Sequence, residues 1–135
     1  MTIFGYDDGI YALLQLLRIM KETGKSLEEL AQAFPQKYTS PAFRIPCSAG
    51  TAKKIVACAQ STFGKRDDVQ LITVDGVRAH MDCGWGILRS SNTEPVLCFR
   101  VESGTREGLK KVTKTFYTIM QQFLDGQFLK EHLNL

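Results

Sequence analysis

Val69-Gln70-Leu71-Ile72-Thr73-Val74-Asp75-Gly76-Val77-Arg78-Ala79-His80-Met81-Asp82-Cys83-Gly84-Trp85-Gly86-Ile87-Leu88-Arg89 holds two chain reversals between runs of β-forming residues. Val69 to Val74 is rich in branched residues, and Asp75-Gly76 is a dipeptide that favours a two-residue hairpin turn. Val77 to Met81 is then the returning strand. Asp82-Cys83-Gly84 marks a second reversal, and Trp85 to Arg89 a third strand. Strands joined by such short turns are antiparallel.

Working outward, Val96 to Val101 reads as a further strand with Leu97, Phe99 and Val101 on one face, because successive side chains alternate. Phe43 to Cys47 reads as a short strand. Between them, Ala52, Ile55, Val56, Ala59 and Phe63 recur at helical spacing, with Gly64 as a stop. A long helix is predicted over 105–124, striped by Leu109, Val112, Phe116, Ile119, Met120 and Phe123. Each helix has one apolar stripe, so both belong on one face of the sheet. The fold class is therefore α+β: a two-layer arrangement of an antiparallel sheet and two helices over residues 41–135.

Residues 1–40 read differently. A helix from about Asp8 to Thr23 carries Ile10, Tyr11, Leu13, Leu14, Leu16, Leu17, Ile19 and Met20 around more than one face, and Gly24 ends it. Such a helix expects cover on several sides. The pattern points to a chain that continues upstream, or to self-association of this one. Ser26-Leu27-Glu28-Glu29 is a capping box opening a short second helix that Pro35 ends. The polar stretch 36–41 reads as a linker, with a boundary near Ser40.

The bulk properties leave few function classes open. The chain has 135 residues, with a net charge of +3. That is too little for a general nucleic-acid binder. The four cysteines, Cys47, Cys58, Cys83 and Cys98, form no Cys-x-x-Cys pair, and the two histidines are far apart in sequence, so no metal site is expected. Cys58 and Cys98 lie in apolar runs and read as reduced core thiols, in keeping with a cytoplasmic protein. No signal segment or membrane-spanning run is read.

One segment carries chemistry: Arg89-Ser90-Ser91-Asn92-Thr93-Glu94-Pro95. Arg89 offers a guanidinium fork matched to two phosphate oxygens. The hydroxyls of Ser90, Ser91 and Thr93 and the amide of Asn92 add donors, and turn N–H groups can form an anion nest. By residue types alone, a solvated hairpin loop is the plainer reading. Asp7-Asp8 reads as helix-terminal acids, Trp85 as a packing residue, and Arg78 and Arg100 as surface ion-pair partners.

Arg-x-Ser-x-Thr-Glu-Pro after a Gly-Trp strand resembles the phosphate-binding loop of the α-D-phosphohexomutases. Asp75-Gly76-Val77-Arg78 is similar to the hairpin that precedes that loop in the family. Phe4-Gly5-Tyr6-Asp7-Asp8-Gly9-Ile10-Tyr11 resembles the start of the last helix of its third domain, and Tyr38-Thr39-Ser40-Pro41 the linker into its fourth. The resemblance implies that 1–40 are the closing helices and linker of an α/β third domain. It implies that 41–135 are a TATA-box-binding-protein-like fourth domain gripping the phosphate of a hexose phosphate. Arg89, Ser91, Asn92 and Thr93 fall at the contact positions. Asn92 resembles the bacterial phosphomannomutase/phosphoglucomutase group more than the phosphoglucosamine mutases. The parent would interconvert hexose 1- and 6-phosphates of mannose or glucose through a 1,6-bisphosphate. Its phosphoserine, its Mg²⁺-holding aspartates and its sugar-reading loop belong to preceding domains, so the piece itself is expected to bind no metal and to be inactive. A stand-alone anion-binding module is the alternative.

Overall fold

The structure is a computed structural model that describes residues 8–133. Two compact units divide between Gln36 and Lys37.

In the first unit, α1 spans Gly9–Thr23 and α2 spans Leu27–Ala31. The Asp8 carboxylate accepts the N–H groups of Ile10 and Tyr11, both at 3.0 Å, which satisfies donors that a helix start leaves open. Gly24 closes α1 at φ 67°, a left-handed conformation that costs glycine little. Ser26 and Glu29 form the capping box of α2. No residue of either helix is buried, and Ile10 remains 75% exposed. The Phe4–Asp7 part of the motif noted above lies outside the described residues.

The second unit is a sheet with helices on one side. In chain order it contains β1 (Tyr38–Thr39), β2 (Phe43–Pro46), α3 (Ala49–Phe63), β3 (Gln70–Ile72), β4 (Val77–Met81), β5 (Gly84–Ser90), β6 (Val96–Ser103), α4 (Arg106–Met120) and α5 (Gly126–Leu133). The sheet order is β1-β6-β5-β4-β3, all antiparallel, with β2 also paired to β6. β1 meets the end of β6 at Glu102 and Ser103, and β2 meets its start at Val96 to Phe99.

Alternation along the strands builds the core. Ile45, Val77, Ala79, Leu88, Leu97, Phe99 and Val101 are buried beneath α3 and α4. Phe116 of α4 sits at the centre, with ring centroids 5.0 Å from Phe63 and 5.2 Å from Phe99. Gly86 makes room for that ring, since a Cβ there would fall 2.4 Å from Phe116 Cε2.

Four expectations are corrected. The stretch read as a linker contributes β1, and the Ser40 N–H donates to Val101 O at 3.0 Å, so the second unit begins at Lys37. The β3–β4 connection is not a two-residue turn: pairing stops at Ile72–Arg78, and residues 73–76 loop out. The last helix ends at Met120, and a separate α5 follows, burying Leu129 and Leu133. The four thiols are free, and Cys58 is half-buried against the core, but Cys98, read as a core thiol, is half-buried away from it. Cys98 falls on the open side because its neighbours Leu97 and Phe99 take the core side.

Candidate phosphate-binding loop

Helices cover one face of the sheet, and the other face is where the arginines lie. Register sets them in rows. Arg44 of β2 is opposite Cys98 of β6, which is opposite Arg89 of β5. At the usual strand spacing, the Cα atoms of Arg44 and Arg89 are about 10 Å apart. The next row runs Arg100, Ile87, Arg78 and Ile72. The third runs Thr39, Glu102, Trp85, His80 and Gln70.

The loop of interest joins β5 to β6 over residues 91–95. Its base is tied by backbone bonds: Ser91 N–H to Val96 O at 3.1 Å, Val96 N–H to Glu94 O at 2.8 Å, and Cys47 N–H to Pro95 O at 3.0 Å. Inside the turn, Ser91 Oγ accepts the N–H of Glu94 at 3.2 Å and of Thr93 at 3.4 Å. The anticipated nest of N–H groups is therefore folded onto the Ser91 hydroxyl. That hydroxyl lies 3.5 Å from Thr93 Oγ1, and its own proton is left to donate. Asn92 and Thr93 are exposed. The structure thus gathers Arg89, Ser91, Asn92 and Thr93 at one end of the sheet, all within reach of solvent.

Two carboxylates attend the arginines. Arg89 Nη1 donates to Asp75 Oδ2 at 3.1 Å. Arg44 Nη2 is paired with Glu94, and that carboxylate raises the guanidinium's proton affinity. Arg44, Arg89 and Arg100 line one cavity of about 230 Å³ with Phe43, Ile87 and Cys98.

The expectation that Arg78 and Arg100 pair with surface acids is corrected: among the described residues neither makes an ion pair. Arg78 instead stacks over Trp85, its guanidinium carbon 4.1 Å from the ring centroid, and its buried Nε has no hydrogen-bond partner. Trp85 Nε1–H donates to Glu102 Oε1 at 3.2 Å. Half-burial, with Arg78 nearby, lowers the pKa of His80. A larger cavity of about 670 Å³ lies among residues of α3, α4 and the β4–β5 turn, away from the loop. Its Thr115 and Thr118 hydroxyls donate to Lys111 O and Lys114 O of their own helix, so they are already committed.

Sequence reading missed Asp75 as a member of this site. Arg44 was missed too, because its approach to Glu94 depends on β2 pairing with the start of β6.

Residues 20–119 match the family described as phosphoglucomutase/phosphomannomutase, C-terminal domain. A phosphomannomutase/phosphoglucomutase of Pseudomonas syringae pv. tomato is 34% identical over 88% of this chain and 25% of its own length. A phosphoglucosamine mutase of Methanococcus maripaludis is 28% identical over 89% of this chain and 27% of its own. The crystal structure of a phosphoglucomutase/phosphomannomutase family protein from Burkholderia thailandensis superposes with a TM-score of 0.69 at 25% identity, covering 88% of this chain and 24% of that one. The chain thus spans about a quarter of the length of the relatives it matches. The matched residues 20–119 include the loop and every strand that positions it, and the chain belongs to the phosphoglucomutase/phosphomannomutase family.

Proposed function

We propose that this chain is the phosphate-gripping part of a phosphomannomutase/phosphoglucomutase, an isomerase that exchanges phosphate between O1 and O6 of a hexose through a 1,6-bisphosphate. The observation that carries this reading is that Arg89, at the end of β5, stands beside Ser91, Asn92 and Thr93 of the tethered loop that follows, in that family's C-terminal domain. Arg89 supplies two-pronged charge-assisted bonds to phosphate oxygens. The Ser91 and Thr93 hydroxyls and the Asn92 amide complete the shell. These groups recognise a dianion and not a ring, which suits a loop that must hold either phosphate of the sugar in turn.

The sugar is mannose or glucose, and Asn92 favours these over glucosamine. The nucleophile that carries the transferable phosphate, and the Mg²⁺ that assists it, belong to domains that precede this one. Among the described residues no three His, Cys, Asp or Glu side chains converge to hold a metal. The piece is inactive by itself. It works in the cytoplasm, with hexose phosphate and the preceding domains as its partners, and with neither nucleic acid nor membrane. No helix among the described residues is long and apolar enough to cross a membrane.

The test is an NMR titration of the isotope-labelled chain with glucose 1-phosphate and with mannose 1-phosphate, beside a coupled mutase assay. Amide shifts confined to residues 89–94 with both sugars, and no turnover, are the expected results. Shifts elsewhere, or none at millimolar ligand, overturn the assignment of the loop. Turnover above blank overturns the inactivity of the piece.

A further inference from the structure

We infer that Asp75 is a positioning residue for Arg89: it holds the guanidinium over the loop before the phosphate arrives. This rests on the reading of the loop given above. Arg89 stands on an open sheet face with its side chain 52% exposed, and the lining it shares with Phe43 and Ile87 covers only part of a side chain with several rotatable bonds. Among the described residues, Asp75 is the one side chain hydrogen-bonded to it. Asp75 itself is not on a loose tip. Its neighbour Gly76 takes φ 81° and lies so close to β5 that a Cβ there would meet Leu88 O at 2.4 Å and Arg89 Cβ at 2.7 Å. From behind, α3 reaches the same point, where Gln60 Nε2 donates to Gly76 O at 3.0 Å. The end of that loop next to Asp75 is therefore fixed, at Gly76, against the strand that bears Arg89.

The bond geometry leaves the arginine usable. Asp75 takes one hydrogen of Nη1, which leaves the Nε and Nη2 edge with the paired N–H groups that a phosphate requires. Orientation and charge act with opposite sign here. A carboxylate beside an anion site repels the anion, so simple electrostatics predicts that its removal tightens binding. Positioning predicts the reverse, since an unheld arginine must be ordered at the moment of binding.

The experiment repeats the titration of this chain with glucose 1-phosphate for wild type, Asp75→Ala and Asp75→Asn. Core amide shifts serve as the check on folding. Asp75 is exposed, and exposed ion pairs contribute little to stability, so both variants should fold. Asp75→Ala should bind about three- to five-fold more weakly, and Asp75→Asn, which keeps an acceptor oxygen, should fall between it and wild type. The gap between alanine variant and wild type should narrow at high salt, where exposed pairs are screened, an effect that a purely structural role would not produce. If wild type shifts residues 89–94 but Asp75→Ala binds equally or more tightly, positioning is overturned and the loop assignment stands. If wild type does not respond at all, both fall.

Discussion

Replacing Arg89 by alanine is the most direct challenge to the phosphate-loop reading. The side chain offers five N–H groups and spends one on Asp75, so truncation removes two prospective charge-assisted bonds. Each is worth about 1.5–3 kcal/mol in a dry site. This side chain is 52% exposed, so water and salt compete, and about 2–3 kcal/mol in total is the reasonable figure. That corresponds to a loss of about 30- to 150-fold in affinity. Lysine should restore only a part, because an ammonium cannot form the two-pronged contact. The fold should hardly notice, since losing an exposed pair with Asp75 costs less than about 1 kcal/mol. Titrations with glucose 1-phosphate and mannose 1-phosphate, paired with thermal unfolding, separate these effects. Unchanged affinity would remove Arg89 from the site. Loss for one sugar alone would make the loop a reader of the ring, and a large drop in Tm would make the effect one of folding.

Three further outcomes follow from particular contacts. Gly86→Ala places a methyl group against Phe116, which Phe63 and Phe99 hold in place, so destabilisation of about 1–3 kcal/mol is expected in urea unfolding, and a neutral result would contradict this packing. His80 has its pKa lowered by burial and by Arg78, so the unfolded chain takes up the proton more readily; the stability this gives is present above the unfolded value of about 6.5 and is lost as pH falls through that value toward the folded one, and His80→Gln should flatten this slope of unfolding free energy against pH. Ile10, Leu13, Leu14 and Leu17 of α1 are exposed, so concentration-dependent association is expected in sedimentation runs; a monomer with slow hydrogen exchange throughout residues 9–23 would refute it.

What could be read from the sequence was whatever depends on neighbours along the chain. The caps at Ser26 and Gly24, the limits of β4, and the alternation of Leu97, Phe99 and Val101 are local matters, and they stand as read. Asp75-Gly76 was correctly placed in a turn, but its width was not legible. Pairing of β3 with β4 stops at Ile72–Arg78 while Gly76 packs against β5, and no pattern within the hairpin encodes that contact. β1 was missed because two polar-flanked residues carry no periodicity; its strand character comes from the free edge of β6. α5 is short and starts at glycine, and burial of Leu129 and Leu133 is what holds it. Within the site, the donor set was visible as residue types. Their two attendant carboxylates were not: Asp75 lies 14 residues from Arg89, and Glu94 lies 50 from Arg44.

The tethers at the base of the 91–95 loop bear on how binding would look in a calorimeter. Freezing a loose backbone costs about 1–2 kcal/mol per residue. Here Ser91, Pro95 and Val96 are already fixed by main-chain bonds, and the Thr93 and Glu94 amides are turned onto Ser91 Oγ before any ligand is present. Most of that ordering was done when the domain folded. Phosphate capture should therefore show a small conformational entropy loss, with release of water and counterions prominent in the signature. If the loop holds phosphate as proposed, its resting shape should also persist from one ligand to the next, so that each phosphate meets a cradle that has not had to be rebuilt.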